Sequence, residues 1–219
     1  MRTHYTVTIT GTTPLIMHAD NIGWADEMSA WKDRKENKAK SKAGDDRSPA
    51  FRWIGALYHD GDAVCLPSEN FMRCLMEAGA QVPVPGGRSG KTFKSQTQSG
   101  IMPGALSWPL LVAGKPVAVA PILELQHDPD FAAHKAAAVD LGFELMCKRA
   151  KIGASKHIRV RPLFREWSAV VEFTVTDPQI TSAVLEDILD VAGTFKGLGD
   201  WRPGGKTPGR YGMFTAVIS

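Results

Sequence analysis

Cysteine is scarce in this chain: three in 219 residues (Cys65, Cys74 and Cys147), an odd number with no C-x-x-C spacing. That excludes a disulfide framework and a cysteine zinc site, and it fits reduced thiols in a reducing compartment. Long apolar runs are also missing. The longest, residues 105–113, is broken by Ser107 and Pro109, whereas a bilayer needs about 20 residues. The opening MRTHYTVTIT has no apolar segment after its charges, so no leader is expected and the cytoplasm is the expected location. Charge of one sign is absent as well, since 26 basic and 23 acidic side chains leave only +3. A polyanionic partner must therefore be read from where the charges sit. With 43% hydrophobic and 22% charged residues, disorder throughout is excluded.

The surplus is in glycine (21) and proline (14), concentrated in residues 81–109 and 197–209. Elsewhere the pattern is regular. Tyr5, Val7 and Ile9 alternate with threonines as a half-buried strand. Trp24, Met28 and Trp31 form one helical face within 23–42, continued by Lys35, Lys38 and Lys42. Residues 51–58 and 62–66 read as strands joined at Asp60-Gly61. Ser68 reads as the N-cap of a helix through Phe71, Leu75 and Met76. Residues 110–112 and 117–125 read as a strand pair, 130–140 as a helix, and 157–164 and 168–176 as strands. Asp177-Pro178 reads as a cap with proline at the first helical position, before a helix bearing Ile180, Val184, Ile188 and Val191. A final strand covers 211–218. The order predicts an α+β fold: a ferredoxin-like, RRM-related antiparallel sheet with helices on one face and long loop insertions. One domain over 1–219 is expected, with insertions at 22–48 and 81–109 and a glycine-rich loop at 197–210.

The clearest chemical feature is residues 148–165, where Lys148, Arg149, Lys151, Lys156, Arg159, Arg161 and Arg165 occur without one acid. Arg159 and Arg161 are two apart and share a strand face, an arrangement suited to successive phosphates. The loop GLGDWRPGGKTPGRYG (197–212) adds Arg202, Lys206 and Arg210 for charge, Trp201 and Tyr211 for stacking, and six glycines for close approach to an anion. PGGRSGKT (85–92) ends like a P-loop but lacks its first glycine, and neither a buried strand precedes it nor an apolar helix follows. Its Arg88 and Lys91, with Lys94, read as cations on an arm. His127 and His134 lie seven apart beside Asp128 and Asp130 without a cysteine, so no metal and no cofactor is expected.

Three segments resemble the CRISPR-associated RAMP superfamily: AVCLPSENFMRCLMEAG (63–79), HIRVRPLFREW (157–167) and GLGDWRPGGKTPGRYGMF (197–214). The chain is most similar to the backbone subunit of guide-RNA effector complexes, in a compact or phage-type form. The resemblance implies a non-enzymatic protein of antiviral defence that grips single-stranded guide RNA by its sugar-phosphate chain. It implies copies stacked head-to-tail, contacts with target RNA or DNA and with other effector subunits, and no membrane. Ser68, Asn70 and Arg73 match the Pro–Ser–helix start and would meet phosphate; Arg202, Lys206 and Arg210 match the glycine-rich loop. The segment 81–109 takes the place of a thumb-like insertion. Pro67-Ser68-Glu69 departs from the family in lacking a glycine after the proline. Some branches cut RNA with an aspartate near Asp20 and Asp26. Three alternatives stay open: a stand-alone phage single-strand binding protein, an endoribonuclease using His18 or His59 as general acid or base, and a scaffold whose basic strip meets an acidic protein.

Overall fold

The computed structural model describes residues 2–38, 40, 42, 44–87, 90–152 and 155–219. In chain order, β1 is Thr3–Gly11, β2 Leu15–Ile16, α1 Ile22–Asp33, β3 Cys65–Pro67, α2 Ser68–Gly79 and α3 Lys94–Gly100. There follow β4 (Ile101–Pro103), β5 (Ser107–Pro109), β6 (Leu111–Val112), β7 (Lys115–Pro116), α4 (Ala120–Leu123) and α5 (Phe131–Asp140). β8 (Glu144–Ile152), β9 (Ser155–Phe164), β10 (Ser168–Val175), α6 (Ser182–Val191) and β11 (Phe214–Ile218) complete the chain. The fold is α+β with antiparallel strand pairing.

The chain divides into two compact units. The first comprises Met1–Ile16, Cys65–Pro116 and Arg165–Ser219, the second Met17–Val64 and Val117–Phe164. Each is assembled from segments distant in sequence, so no proline- or glycine-rich linker marks a boundary between them.

In the first unit, β1 and β10 are central, β11 flanks β1, and β4 and β6 pair with β10. The two-residue period of β10 buries Ala169, Val171, Phe173 and Val175 and leaves Val170 and Glu172 outside. Val7 and Ile9 of β1 join them. Phe71 of α2 lies 6.1 Å from the Phe173 ring and 6.5 Å from Phe214, and Leu185 and Ile188 of α6 are fully buried. Apolar burial of this kind, at about 25 cal/mol per Å², is the main stabilising term.

The described residues of 81–109 form short packed elements. They are built into the first unit: α3 and β4 follow a short bridge between Pro83 and Thr92, and β5 pairs with β3. Phe93, Ile101 and Trp108 are buried there. The many glycines and prolines mark tight turns between short elements, not one long loop.

In the second unit, β8 and β9 form a hairpin in register from Glu144↔Leu163 to Ile152↔Ser155. Its core is aromatic. Trp53, Phe143 and Phe164 are buried, with Phe143 stacked on Phe164 at 5.0 Å. Residues 51–58 form no strand; Ala50–Ala56 is a 3-10 helix burying Phe51, Trp53 and Ile54. An apolar run bounded by turns has no period that separates these two outcomes. The helix expected over 23–42 stops at Asp33, with Asn21 accepting from the Trp24 amide as its cap. Trp24 and Trp31 both pack edge-on against Phe51, at 6.3 and 5.9 Å, so the aromatic stripe is a docking face.

Other local expectations shift by a residue or more. Asp130 caps α5, accepting from the Ala132 amide at 2.8 Å. Asp60 accepts from the Asp62 and Ala63 amides in a tight turn, and only His59↔Val64 bridges across it. Thr181, not Asp177, caps α6 by accepting from Val184 at 3.3 Å. Asp177 instead closes its own turn, accepting from the Gln179 amide. Residues 117–125 hold the short helix α4 in place of a strand. No helix among the described residues is long and apolar enough to cross a membrane.

Candidate nucleic-acid interface

The β8–β9 ladder fixes the geometry of the basic run. Lys148 stands opposite Arg159, and Lys151 opposite Lys156. Lys148, Arg149, Lys151 and Lys156 are exposed, giving a ribbon with cations on both strands and both faces. Like charges facing each other across a ladder are unfavourable by about 0.2–1 kcal/mol per pair. The facing Lys151↔Lys156 pair therefore carries a repulsion that a bound anion would relieve.

At its other end the hairpin meets a buried carboxylate. Asp46 is 3% exposed. Arg159 donates Nη1–H to its Oδ1 at 3.0 Å, Arg161 donates Nη1–H to Oδ2 at 3.4 Å, and the Val160 amide donates to Oδ2 at 3.3 Å. Arg52 adds an ion pair at 3.5 Å. Three guanidinium groups thus converge on one carboxylate, which holds them in place without matching their charge. They line a cavity of about 320 Å³ that also meets His18, Lys32 and Trp24. Arg161 donates to His18 Nε2 at 3.0 Å; a guanidinium only donates, so Nε2 is the unprotonated nitrogen. Asp20 lines the same cavity, and His59 does not.

Sequence reasoning singled out Arg159 and Arg161 but missed Arg52, Lys32 and Asp46. Those three sit more than 100 residues away from the β9 arginines, and no local pattern links them.

The matched residues of the first unit are placed differently. Ser68 is the first residue of α2, not its cap; its side chain accepts no capping bond, and its amide donates to the Leu106 carbonyl at 2.9 Å. The helix start there is thus partly occupied by the chain itself, and Glu69 lies in its first turn. Asn70 is half-buried. Arg202 is held inward: its Nη1 and Nη2 donate to Glu77 at 2.7 and 3.1 Å, and Nη1 also donates to the Lys196 carbonyl. Arg73 donates to the same Glu77 at 2.7 Å and is 70% exposed, against 19% for Arg202. Burial raises the Glu77 carboxyl, but its hydrogen bonds from Arg202 and Arg73 outweigh that and hold it below the usual carboxylate range. This cluster ties the glycine-rich loop to α2.

The glycines of that loop serve packing. A side chain at Gly212, where φ is +68°, would meet the Leu198 carbonyl at 1.8 Å, and one at Gly209 the Trp201 carbonyl at 2.0 Å. Trp201 is half-buried with its ring 6.2 Å from Tyr211. Lys206 and Arg210 are exposed on the loop, Lys91 in the turn before α3, Lys94 at its start, and Arg165 between β9 and β10. Arg88 lies outside the described residues.

His134, weighed as a ligand, is fully buried; it accepts from Trp53 Nε1–H at 3.1 Å on Nδ1 and lies 3.0 Å from the Asp128 carbonyl through Nε2. Both ring nitrogens are engaged, and no group of three metal-capable side chains occurs among the described residues. No protein-family model matches this chain, and no curated protein does.

Proposed function

We propose that the chain binds single-stranded nucleic acid, RNA above all, along its sugar-phosphate backbone. On this reading, copies assemble head-to-tail on the strand as the backbone subunit of a CRISPR-type ribonucleoprotein. The observation that carries the binding reading is the β8–β9 ribbon, whose exposed cations include the facing pair Lys151↔Lys156, unfavourable in the free protein and relieved by phosphates. The strand order β11–β1–β10–β4, antiparallel throughout, supports a ferredoxin-like, RRM-related first unit. The guide-RNA and head-to-tail parts rest on the resemblance of residues 63–79, 157–167 and 197–214 to RAMP backbone subunits. Such an assembly is a heterologous contact that leaves an open filament.

Fluorescence anisotropy with labelled single-stranded RNA and DNA, at two salt concentrations, tests the binding. Salt-sensitive binding to RNA is the expected result, and salt-independent binding or none refutes the ribbon. Light scattering on RNAs of increasing length tests assembly: the bound mass rises in steps of one protomer. RNA recovered intact from these mixtures supports a non-catalytic role. Cleavage that disappears in His18→Ala would support the endoribonuclease reading instead, since His18 lines the cavity and accepts a hydrogen bond from Arg161.

A further inference from the structure

The Asp46 cavity has the chemistry of a pocket for one nucleotide, and the ribbon does not account for it. Its lining carries Lys32, Arg52, Arg159 and Arg161 against Asp20 and Asp46, an excess of two positive charges. A phosphodiester within a strand carries one negative charge; a terminal phosphate carries about 1.5–2 at neutral pH. At about 320 Å³ the cavity lies at the small end of the range of ligand sites. The other wall is apolar, with Trp24, Met28 and Trp53. Phosphate alone would leave that wall uncovered, whereas a nucleotide offers a dianion at one end and a flat base at the other. The guanidinium groups are also preorganised. Asp46 fixes Arg159 through one donor of five, and Arg52 through Nε alone.

We propose that this cavity binds a nucleotide bearing a terminal phosphate, the phosphate on Arg52 and Arg159 and the base against Trp24. The inference deepens the nucleic-acid reading, with the ribbon holding the chain and the cavity its phosphorylated end; a free mononucleotide offers the same chemistry.

The test compares the affinities of 12-mer RNAs carrying a 5′-phosphate, a 3′-phosphate or neither, together with adenosine monophosphate. One phosphorylated end binds at least about tenfold tighter than the unphosphorylated strand. Arg52→Ala and Lys32→Ala abolish that preference, while Lys151→Glu weakens all three strands alike and keeps it. Lys32 is half-buried on α1 and makes no ion pair to Asp46, so its variant stays informative if Arg52→Ala does not fold. Mononucleotide binding lost in both cavity variants supports the site and identifies a free nucleotide as an occupant. Equal affinity for all three RNAs, without mononucleotide binding, overturns the cavity proposal and leaves the ribbon standing. Arg52-dependent mononucleotide binding without RNA binding overturns the ribbon and keeps the cavity.

Discussion

Lys151→Glu separates a binding role for the hairpin from a structural one, because the two predict effects of opposite sign. Lys151 faces Lys156 across the ladder, so glutamate there replaces a repulsive pair with an attractive one. The free protein should gain about 0.2–1 kcal/mol of stability, seen as a higher denaturant midpoint at unchanged slope. Binding should weaken over the same substitution. With the four exposed cations Lys148, Arg149, Lys151 and Lys156 each on one phosphate, log K falls with log salt at about −2.8, or about −0.7 per contact on a single strand. Between 50 and 200 mM salt that is an affinity loss of about 50-fold. The variant removes one cation and engages Lys156 with the new carboxylate. Its slope should drop to about −1.4 and its loss over the same range to about sevenfold. Anisotropy titrations at several salt concentrations measure both. A variant that keeps the wild-type slope, or one that loses stability, refutes the ribbon as the phosphate-binding element.

Glu77→Gln should cost about 1–3 kcal/mol at neutral pH, because it leaves Arg202, 19% exposed, without its carboxylate. The Glu77 carboxyl is held low in the folded state, so its contribution is present above the ordinary value of 4.5 and is lost as pH falls through the folded value. Denaturation midpoints of wild type and variant should therefore converge in acid. Gly212→Ala should destabilise by about 2–4 kcal/mol, as a positive φ and a clash with the Leu198 carbonyl act together; calorimetry reads this as a lowered Tm. A thiol reagent should modify Cys147 in the native protein and leave Cys74 untouched until unfolding. Cys147 is exposed, whereas burial pushes the Cys74 thiol up to about 12. Rapid native modification of Cys74, followed by mass spectrometry, would contradict its burial beside the Ala192 carbonyl.

Local periodicity was enough for several elements. The strands β1, β9 and β10 and the helix α5 are set by residues close to one another in sequence, and the structure has them nearly where expected. The acid-free run is equally a property of the linear chain. β8 was not legible, because Glu144–Ile152 has no clean two-residue alternation and becomes a strand only by pairing with β9. The 3-10 helix at Ala50–Ala56 was misread because burial on all sides erases the period.

The site divides in the same way. Sequence by itself determined that the cations of residues 148–165 are concentrated and that Arg159 and Arg161 share a face, since both follow from composition and strand geometry. Only the tertiary structure decided which cations are held inward and which are exposed. Arg202 turns inward because Glu77, 125 residues away, is brought beneath it. Arg52 and Arg159 converge because Asp46 is buried between elements more than 100 residues apart. A buried carboxylate requires compensating charge, and the fold, which brings distant segments together, determines which arginines supply it.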